Sequence, residues 1–279
     1  MTRVSQFYDG AGVPMATPAS PDEVAAAWRG HRQRFRDWFA TLDDAGWAGR
    51  SRCTEWTVRD IAQHLVSGSQ FLGYTLHQAL KGQPTRLLAD FDAQETPKTT
   101  TSMFDGLSPN QLLDQLHAMD ARVDAELQRL SIEGWGVDAE APPGRVAAHV
   151  SVNHFLFDSW VHERDVMLPA KQTPTTEPGE AAAVASYVLA LAGIARTVDE
   201  DPPQPAAIRV HLTDVDRHLC LTVTEAGSVV RFCPGDSSTN IAASAGALVD
   251  AATGRVVVAS IDADAHASAV LEHLATAMS

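Results

Sequence analysis

The chain has 279 residues, a length that fits one large domain or two of ordinary size. Its formal net charge of −14 argues against nucleic acid and anionic membranes as partners, because both are bound by basic surfaces. No apolar run reaches the roughly 18 to 20 residues that cross a bilayer. Residues 1–23 contain no apolar signal-peptide core, so we interpret them as a disordered or loosely packed lead-in to a cytoplasmic protein.

The cysteines are Cys53, Cys220 and Cys233, which are few, odd in number and widely spaced. No Cys-x-x-Cys pair occurs, so the sequence predicts neither a zinc ribbon nor a disulfide framework. A free cysteine is most often a small buried hydrophobe, and we do not expect any of the three to act as a nucleophile.

Four long helices are predicted in the first part of the chain, at about residues 21–42, 57–80, 109–130 and 145–167. Thr57 followed by Asp60 resembles a capping box, and Ser108 is a suitable cap for the third helix. A long turn-rich connection separates the second helix from the third. Apolar residues at helical spacing predict that the four helices pack as a bundle.

The segment "PAKQTPTTEPGE", residues 169–180, has the proline and threonine content of a linker. After it the pattern predicts a helix at 181–198, three antiparallel strands at 206–213, 218–225 and 228–233, and then helix, strand and helix at 242–253, 255–260 and 264–278. We therefore predict an α+β protein with a bundle domain at 18–169 and a smaller α+β domain at 178–279.

The stretch "HFLFDSWVHERD" places four polar residues on one side of the fourth helix: His154, Asp158, His162 and Asp165. At 100° per residue they fall within an arc of roughly 80°. A solvated stripe would also give this pattern. However, a carboxylate and an imidazole four residues apart can reach one metal ion.

A third ligand could come from His64 on the apolar side of the second helix. A lone histidine there is more often structural, but bundle helices can direct ligands toward a common centre. His64 with Asp158 and His162 gives three N/O ligands and an open fourth position, the composition of a catalytic zinc site.

Two stretches, "RCTEWTVRDIAQHL" and "DSWVHERD", resemble motifs of a known family. The first is similar to the motif "RC-x-x-W-T-V-R-D-x-x-x-H-L" and the second to the motif "E-x-x-x-H-x-x-D" of the mycothiol-dependent maleylpyruvate isomerase family. The order of elements is also similar over nearly the whole chain. The resemblance implies a DinB-like four-helix bundle that binds a divalent metal, usually zinc, followed by a smaller C-terminal domain.

The resemblance implies metal ligands at His64, Asp158 and His162. Asp158 departs from the family's glutamate and is one methylene shorter, so His154 one turn earlier is an alternative ligand. Asp165 matches the trailing acid and would orient His162 from behind, since metal-bound imidazoles usually donate their other N–H; capping or pairing near the helix end is the other interpretation. Arg255, after Gly254, is a candidate for binding a substrate carboxylate or an ordinary surface arginine.

The chemistry that the resemblance implies is thiol addition. A mycothiol thiolate adds to a cis double bond, the bond rotates, and elimination returns the thiol. We predict a mycothiol-dependent isomerase or S-transferase that acts on a small electrophilic substrate. Two alternatives stay open: a zinc-dependent hydrolase or lyase that uses metal-bound water, and a non-enzymatic metal-binding bundle.

Overall fold

The computed structural model describes residues 12–90, 95–199, 205–235 and 238–278, which form two compact units. The first unit is Pro21–Thr175. The second combines residues 12–20, which contain strand β1 (Met15–Ala16), with residues 176–278.

The first unit is a bundle of four long helices with short additions. Its helices are α1 (Pro21–Phe39), α2 (Asp44–Trp47), α3 (Val58–Leu80), α4 (Thr96–Thr101), α5 (Pro109–Glu133) and α6 (Ala148–Met167). Helix α3 packs against α5 and α6, and α1 packs against the same two helices. The predicted bundle and the α+β fold class are confirmed.

Both predicted helix starts are confirmed in their details. The Thr57 side chain accepts a hydrogen bond from the backbone N–H of Asp60, and an Asp60 oxygen accepts one from the Thr57 N–H at 2.8 Å. Ser108 and Gln111 form the equivalent pair at α5. Each box satisfies two backbone donors that a helix start would leave unpaired, which fixes where α3 and α5 begin.

Two boundaries in the first unit differ from the prediction. Helix α1 ends at Phe39, and the short α2 follows it. The fourth long helix begins at Ala148, because residues before it form an antiparallel hairpin of β2 (Asp138–Ala141) and β3 (Gly144–Ala147). The chain reverses there at two prolines followed by Gly144. Gly144 has φ +131°, a backbone angle that residues with a side chain rarely adopt.

Glu140 in β2 holds part of the connection after α3. Its carboxylate is fully buried and accepts hydrogen bonds from the Thr85 hydroxyl at 2.6 Å and the Leu87 N–H at 2.9 Å. The connection, predicted as turns, also contains α4 and a 3₁₀ turn at Ser102–Phe104.

Stacked rings fill the core at one end of the bundle. Phe35 stacks on Phe39, and Phe39 stacks on Trp47 of α2, with ring centroids 4.5 and 5.3 Å apart. Apolar side chains from α3, α5 and α6 surround them: Val58, Ile61, Ala62, Leu65, Val66, Leu112, Leu116, Met119 and Val166. The rings and these aliphatic groups hold the start of α3 against α6.

The second unit is a six-stranded sheet covered by helices. After helix α7 (Pro178–Asp199) come β4 (Ala206–Leu212), β5 (Arg217–Thr224), β6 (Gly227–Phe232), β7 (Ile241–Ala243), α8 (Ala245–Ala252), β8 (Asp262–Ala263) and α9 (Ala265–Met278). The strand order is β1-β6-β5-β4-β7-β8, with β1–β6 and β4–β7 parallel. Helix α7 packs against β5, β6, α8 and α9.

Three predictions for this unit are wrong in part. Residues 1–11 of the lead-in lie outside the described residues, but its later part contributes a strand, since Met15 and Ala16 pair with β6. Residues 255–260 are not a strand, because Gly254 at φ +72° turns the chain and a 3₁₀ turn follows at Val258–Ser260. Cys220 and Cys233 form a disulfide across β5 and β6, a pairing that their separation of 13 residues did not suggest.

Helix α7 differs from the prediction that no apolar run is long enough to cross a bilayer. Among the described residues, the segment Pro178–Thr197 is both long enough and apolar enough to cross a membrane, judged by length and composition alone. However, 78% of that window is buried within the fold, as in the core helix of a globular protein. The cytoplasmic location stays a prediction.

Candidate metal centre

His64 is carried by the start of α3, which the capping box fixes. The residues on either side of it in the amphipathic pattern, Ile61 and Leu65, are buried in the bundle core. The His64 side chain is 16% exposed, and its Nε2 lies 3.2 Å from both carboxylate oxygens of Asp158 on α6. The ring therefore crosses from α3 to α6 near the surface of the first unit.

Asp158 and His162 lie one turn apart on α6 and face the same point. The Nε2 of His162 is 3.5 Å from Oδ1 of Asp158, and the side chains are 9% and 22% exposed for His162 and Asp158. The rings of His64 and His162 meet edge to face, with centroids 4.9 Å apart. The helix period explains this convergence, because residues four apart share a helix face.

Asp165 controls the orientation of His162. Its buried carboxylate lies 3.0 Å from Nδ1 of His162 through Oδ2, and its Oδ1 accepts a hydrogen bond from Nε of Arg52 at 3.0 Å. The Arg52 guanidinium favours the ionised carboxylate, which favours a proton on Nδ1 of His162. The unprotonated Nε2 of a neutral His162 then points at Asp158.

Asp158 is ionised in this setting. Burial by itself raises the pKa of the Asp158 carboxyl, but the neighbouring His64 and His162 outweigh burial and hold the pKa well below its usual range. A carboxylate and a nitrogen lone pair 3.5 Å apart repel each other unless a proton or a cation lies between them. The donor set therefore requires positive charge at its centre.

The spacing of the three donors fits a divalent metal. In a tetrahedral zinc site with bonds of about 2.0 to 2.1 Å, ligand atoms lie about 3.3 Å apart. The His64–Asp158 and His162–Asp158 distances are 3.2 and 3.5 Å, and all three ligand atoms lie within 4.8 Å of one another. Two imidazoles and a carboxylate are also ligands that zinc accepts.

His154 does not belong to this group of ligand atoms. It is half-buried one turn before Asp158, and its ring contacts those of Phe155 and Phe157. Burial lowers the pKa of His154 to about 4; His64 acts in the same direction, and Asp158 opposes both. The structure thus brings Asp158, rather than His154, to His64 and His162.

Three further residues surround the site and come from the segment just before α3. Arg52 and Cys53 both donate to Asp165, with the Cys53 sulfur 3.3 Å from Oδ2. The Trp56 ring lies against both imidazoles, 5.1 Å from His64 and 5.9 Å from His162. The sequence did not predict a role in the site for any of them, although all three lie in the motif "RCTEW".

Arg255 lies in the second unit, at the turn after α8. Arg255 is half-buried, and its backbone N–H donates a hydrogen bond to the backbone carbonyl of Asp250 at 2.9 Å. Its assignment to substrate binding stays a prediction.

A cavity of about 490 Å³ runs along α3 in the first unit. Its lining includes Ser67, Tyr74 and His77 of α3 and Arg122 of α5, but not His64. His64 is therefore not part of the wall of this cavity.

Comparison with known proteins gives one family and one fold. A family model described as the mycothiol maleylpyruvate isomerase N-terminal domain matches residues 28–167. A solved structure of the mycothiol-dependent maleylpyruvate isomerase is similar, with TM-score 0.60, 16% identity, and coverage of 85% of this chain and 90% of that one. A histidine-to-alanine mutant of that isomerase gives TM-score 0.60 and 15% identity at the same coverage. No curated protein matches the chain.

Proposed function

Because the chain belongs to the mycothiol maleylpyruvate isomerase family of enzymes, we propose that it is a metal- and mycothiol-dependent enzyme of the isomerase or S-transferase type. The expected metal is zinc. The expected substrate is a small electrophilic acid with a cis double bond, of the maleyl type. A low-molecular-weight thiol is the second reactant.

One observation carries this proposal: Nε2 atoms from two helices converge on the carboxylate of Asp158. His64 contributes one at 3.2 Å and His162 the other at 3.5 Å. The buried Asp165 at the back of the His162 ring supports a metal-ligand role, since carboxylates hold metal-bound imidazoles in this way.

A zinc ion bound there would lower the pKa of a thiol that coordinates it, and so keep the thiol in its nucleophilic thiolate form at neutral pH. The protein residues hold and orient the ligand set. Asp165 keeps the Nδ1 proton of His162, and the Trp56 ring excludes water from one side of both imidazoles.

The reaction balances without a redox partner. The thiolate sulfur forms a bond to one carbon of the cis double bond. The π electron pair of the double bond then passes to the conjugated carbonyl. Rotation about the resulting single bond follows, and elimination of the same thiolate restores the double bond in the trans form. The protein supplies no nucleophile of its own in this scheme.

The test combines thiol binding with turnover on the full chain. Zinc-loaded protein should bind mycothiol and isomerise maleylpyruvate only when the thiol is present. His64→Ala should abolish both mycothiol binding and isomerisation. His117→Ala, which changes an exposed histidine of α5, should leave both unchanged. Turnover of esters or amides without thiol would instead identify a hydrolase, and absence of both activities in zinc-loaded protein would contradict the proposal.

A further inference from the structure

A second group of imidazole and carboxylate donors lies in the C-terminal unit, on the hairpin of β4 and β5. His211 and His218 are directly opposite each other in the antiparallel register. Their rings are stacked in parallel, with centroids 4.4 Å apart and an interplanar angle of 9°. Both are half-exposed, in positions of the strands that alternate with buried ones, so they lie on the open face of the sheet.

Asp216, in the turn of the same hairpin, adds a carboxylate to the pair. Its Oδ1 lies 3.3 Å from Nε2 of His211. Its backbone has φ +47°, in the left-handed region that only a few per cent of non-glycine residues occupy, although aspartate tolerates it better than most. This conformation gives the turn the shape that allows the carboxylate to reach back to the strands.

His218 is confined by the segment that follows β6. A Cβ atom on Gly235 would lie 2.6 Å from the Nε2 atom of His218, so the ring occupies the space that a side chain there would need. The N–H of Cys233 also donates to the His218 carbonyl at 3.1 Å. The ring is therefore held in its position next to His211.

We propose that His211, Asp216 and His218 form a second divalent-cation site, distinct from the one in the bundle. One ligand atom from each lies within 4.8 Å of the other two. An ion bound by both imidazoles must lie close to the plane of each ring, so the His211 ring would turn out of the parallel stack. Together with rotation of the exposed Asp216 side chain, this movement would bring the three ligand atoms to the roughly 3.3 Å spacing of a tetrahedral zinc ion. Two imidazoles and one carboxylate suit zinc among the common cations, and a water or an external ligand would complete the shell.

The site would cross-link the two strands of the hairpin. His211 and His218 belong to different strands, and Asp216 belongs to the turn, so an ion bound by all three would hold the hairpin in one register. Binding to the folded state alone stabilises a protein by an amount that grows with the logarithm of the free-ion concentration once this exceeds the Kd. The expected role is therefore structural, and it does not depend on the proposed thiol chemistry.

Zinc alone is the probe for this site, applied to the full-length chain with its disulfide intact. In equilibrium dialysis, His211→Ala, His218→Ala and Asp216→Asn should each lose one equivalent of bound zinc. Asp262→Asn, which changes an exposed acid of the same unit, and His117→Ala, in the bundle, should lose none. His64→Ala should lose a different equivalent, so the two sites succeed or fail independently.

If the disulfide were reduced, the thiolates of Cys220 and Cys233 would be the competing explanation for zinc in this unit, since both residues are close to His218 in the sheet. The double variant Cys220→Ser/Cys233→Ser should keep the hairpin equivalent; its loss there would overturn the assignment. Wild-type zinc content in all three hairpin variants would overturn it as well. Asp216→Asn changes an exposed turn residue, so it provides a folded variant even if either histidine variant fails to fold.

Discussion

Asp165 lies against His162 on α6 with its Oδ2 3.0 Å from Nδ1 of the ring, and the same carboxylate receives the guanidinium of Arg52. The Arg52 backbone N–H also donates to the Asp165 carbonyl at 2.9 Å. One buried acid thus joins the segment before α3 to the last bundle helix. It couples the orientation of His162 to the position of the helix that carries His64.

The first prediction concerns metal content. His64→Ala, Asp158→Ala and His162→Ala should each remove most of the bound zinc, because two remaining protein ligands bind a divalent ion far more weakly than three. Elemental analysis of protein purified without chelators should find about one zinc fewer per chain in each variant than in the wild type.

His154→Ala is the matched control, because it changes a histidine of the same helix one turn from Asp158. We expect it to retain wild-type zinc. The ligand assignment is wrong if His154→Ala loses the metal while Asp158→Ala keeps it.

The second prediction separates positioning from packing at Asp165. Asp165→Asn retains the size of the side chain but removes the charge that favours a proton on Nδ1 of His162. Zinc affinity should fall about 10- to 100-fold, as is typical when the partner of a metal-bound histidine is changed. A competition titration with a chromophoric chelator measures this change.

Asp114→Asn, at an exposed position of α5, should leave zinc affinity unchanged. If Asp165→Asn lowers the melting temperature of the metal-free protein but binds zinc with wild-type affinity, then Asp165 only stabilises the contact between α6 and the segment before α3.

The sequence predicted the parts of this site that follow from local rules. The capping box at Thr57 and Asp60 fixes the start of α3, and the helix period places Asp158 and His162 on one side of α6. The roles of Arg52 and Cys53 could not be predicted in this way, because their contacts with Asp165 span more than a hundred residues of chain. Such contacts depend on how the helices pack.

The fold shows the same division between local and distant determinants. Long amphipathic helices carry their own signal, so α1, α3 and α5 were predicted within a few residues of their bounds. Strand β1 has two residues and exists only because β6 offers it an edge. Cys220 and Cys233 come together only through the register of β5 and β6, which no spacing rule for cysteines contains.

The third prediction concerns acid stability and rests on Asp120, a buried residue of α5. Burial raises the pKa of this carboxyl, but ion pairs with Arg32 and Arg36 and a hydrogen bond from Ser69 outweigh it and lower the pKa. A carboxyl with a lowered folded-state pKa stabilises the fold above its unfolded pKa of 3.8, and the stabilisation is lost as pH falls below that value through the folded pKa.

Asp120→Asn should therefore lower the free energy of unfolding at pH 7 by roughly 3 kcal/mol, since it leaves the buried Arg32 and the part-buried Arg36 without their counter-charge. The variant should also lose less stability than the wild type between pH 4 and pH 2. Urea unfolding at several pH values tests both, with the exposed Asp114→Asn as the control. Equal acid sensitivity in wild type and Asp120→Asn would contradict the assignment.

The last prediction is that Arg255 binds the anionic group of the substrate. Gly254 at φ +72° sets the turn that presents it, and the planar guanidinium can form two parallel hydrogen bonds with a carboxylate. Removing such a contact costs about 2 kcal/mol, or roughly thirtyfold in kcat/KM. Arg255→Ala should therefore reduce turnover by that factor while zinc content and mycothiol binding stay at wild-type values. Arg217→Ala, an exposed arginine of the same unit, should change none of the three. An equal loss of turnover in both variants would indicate a general electrostatic effect. If Arg255→Ala loses no turnover, then Arg255 does not bind the substrate.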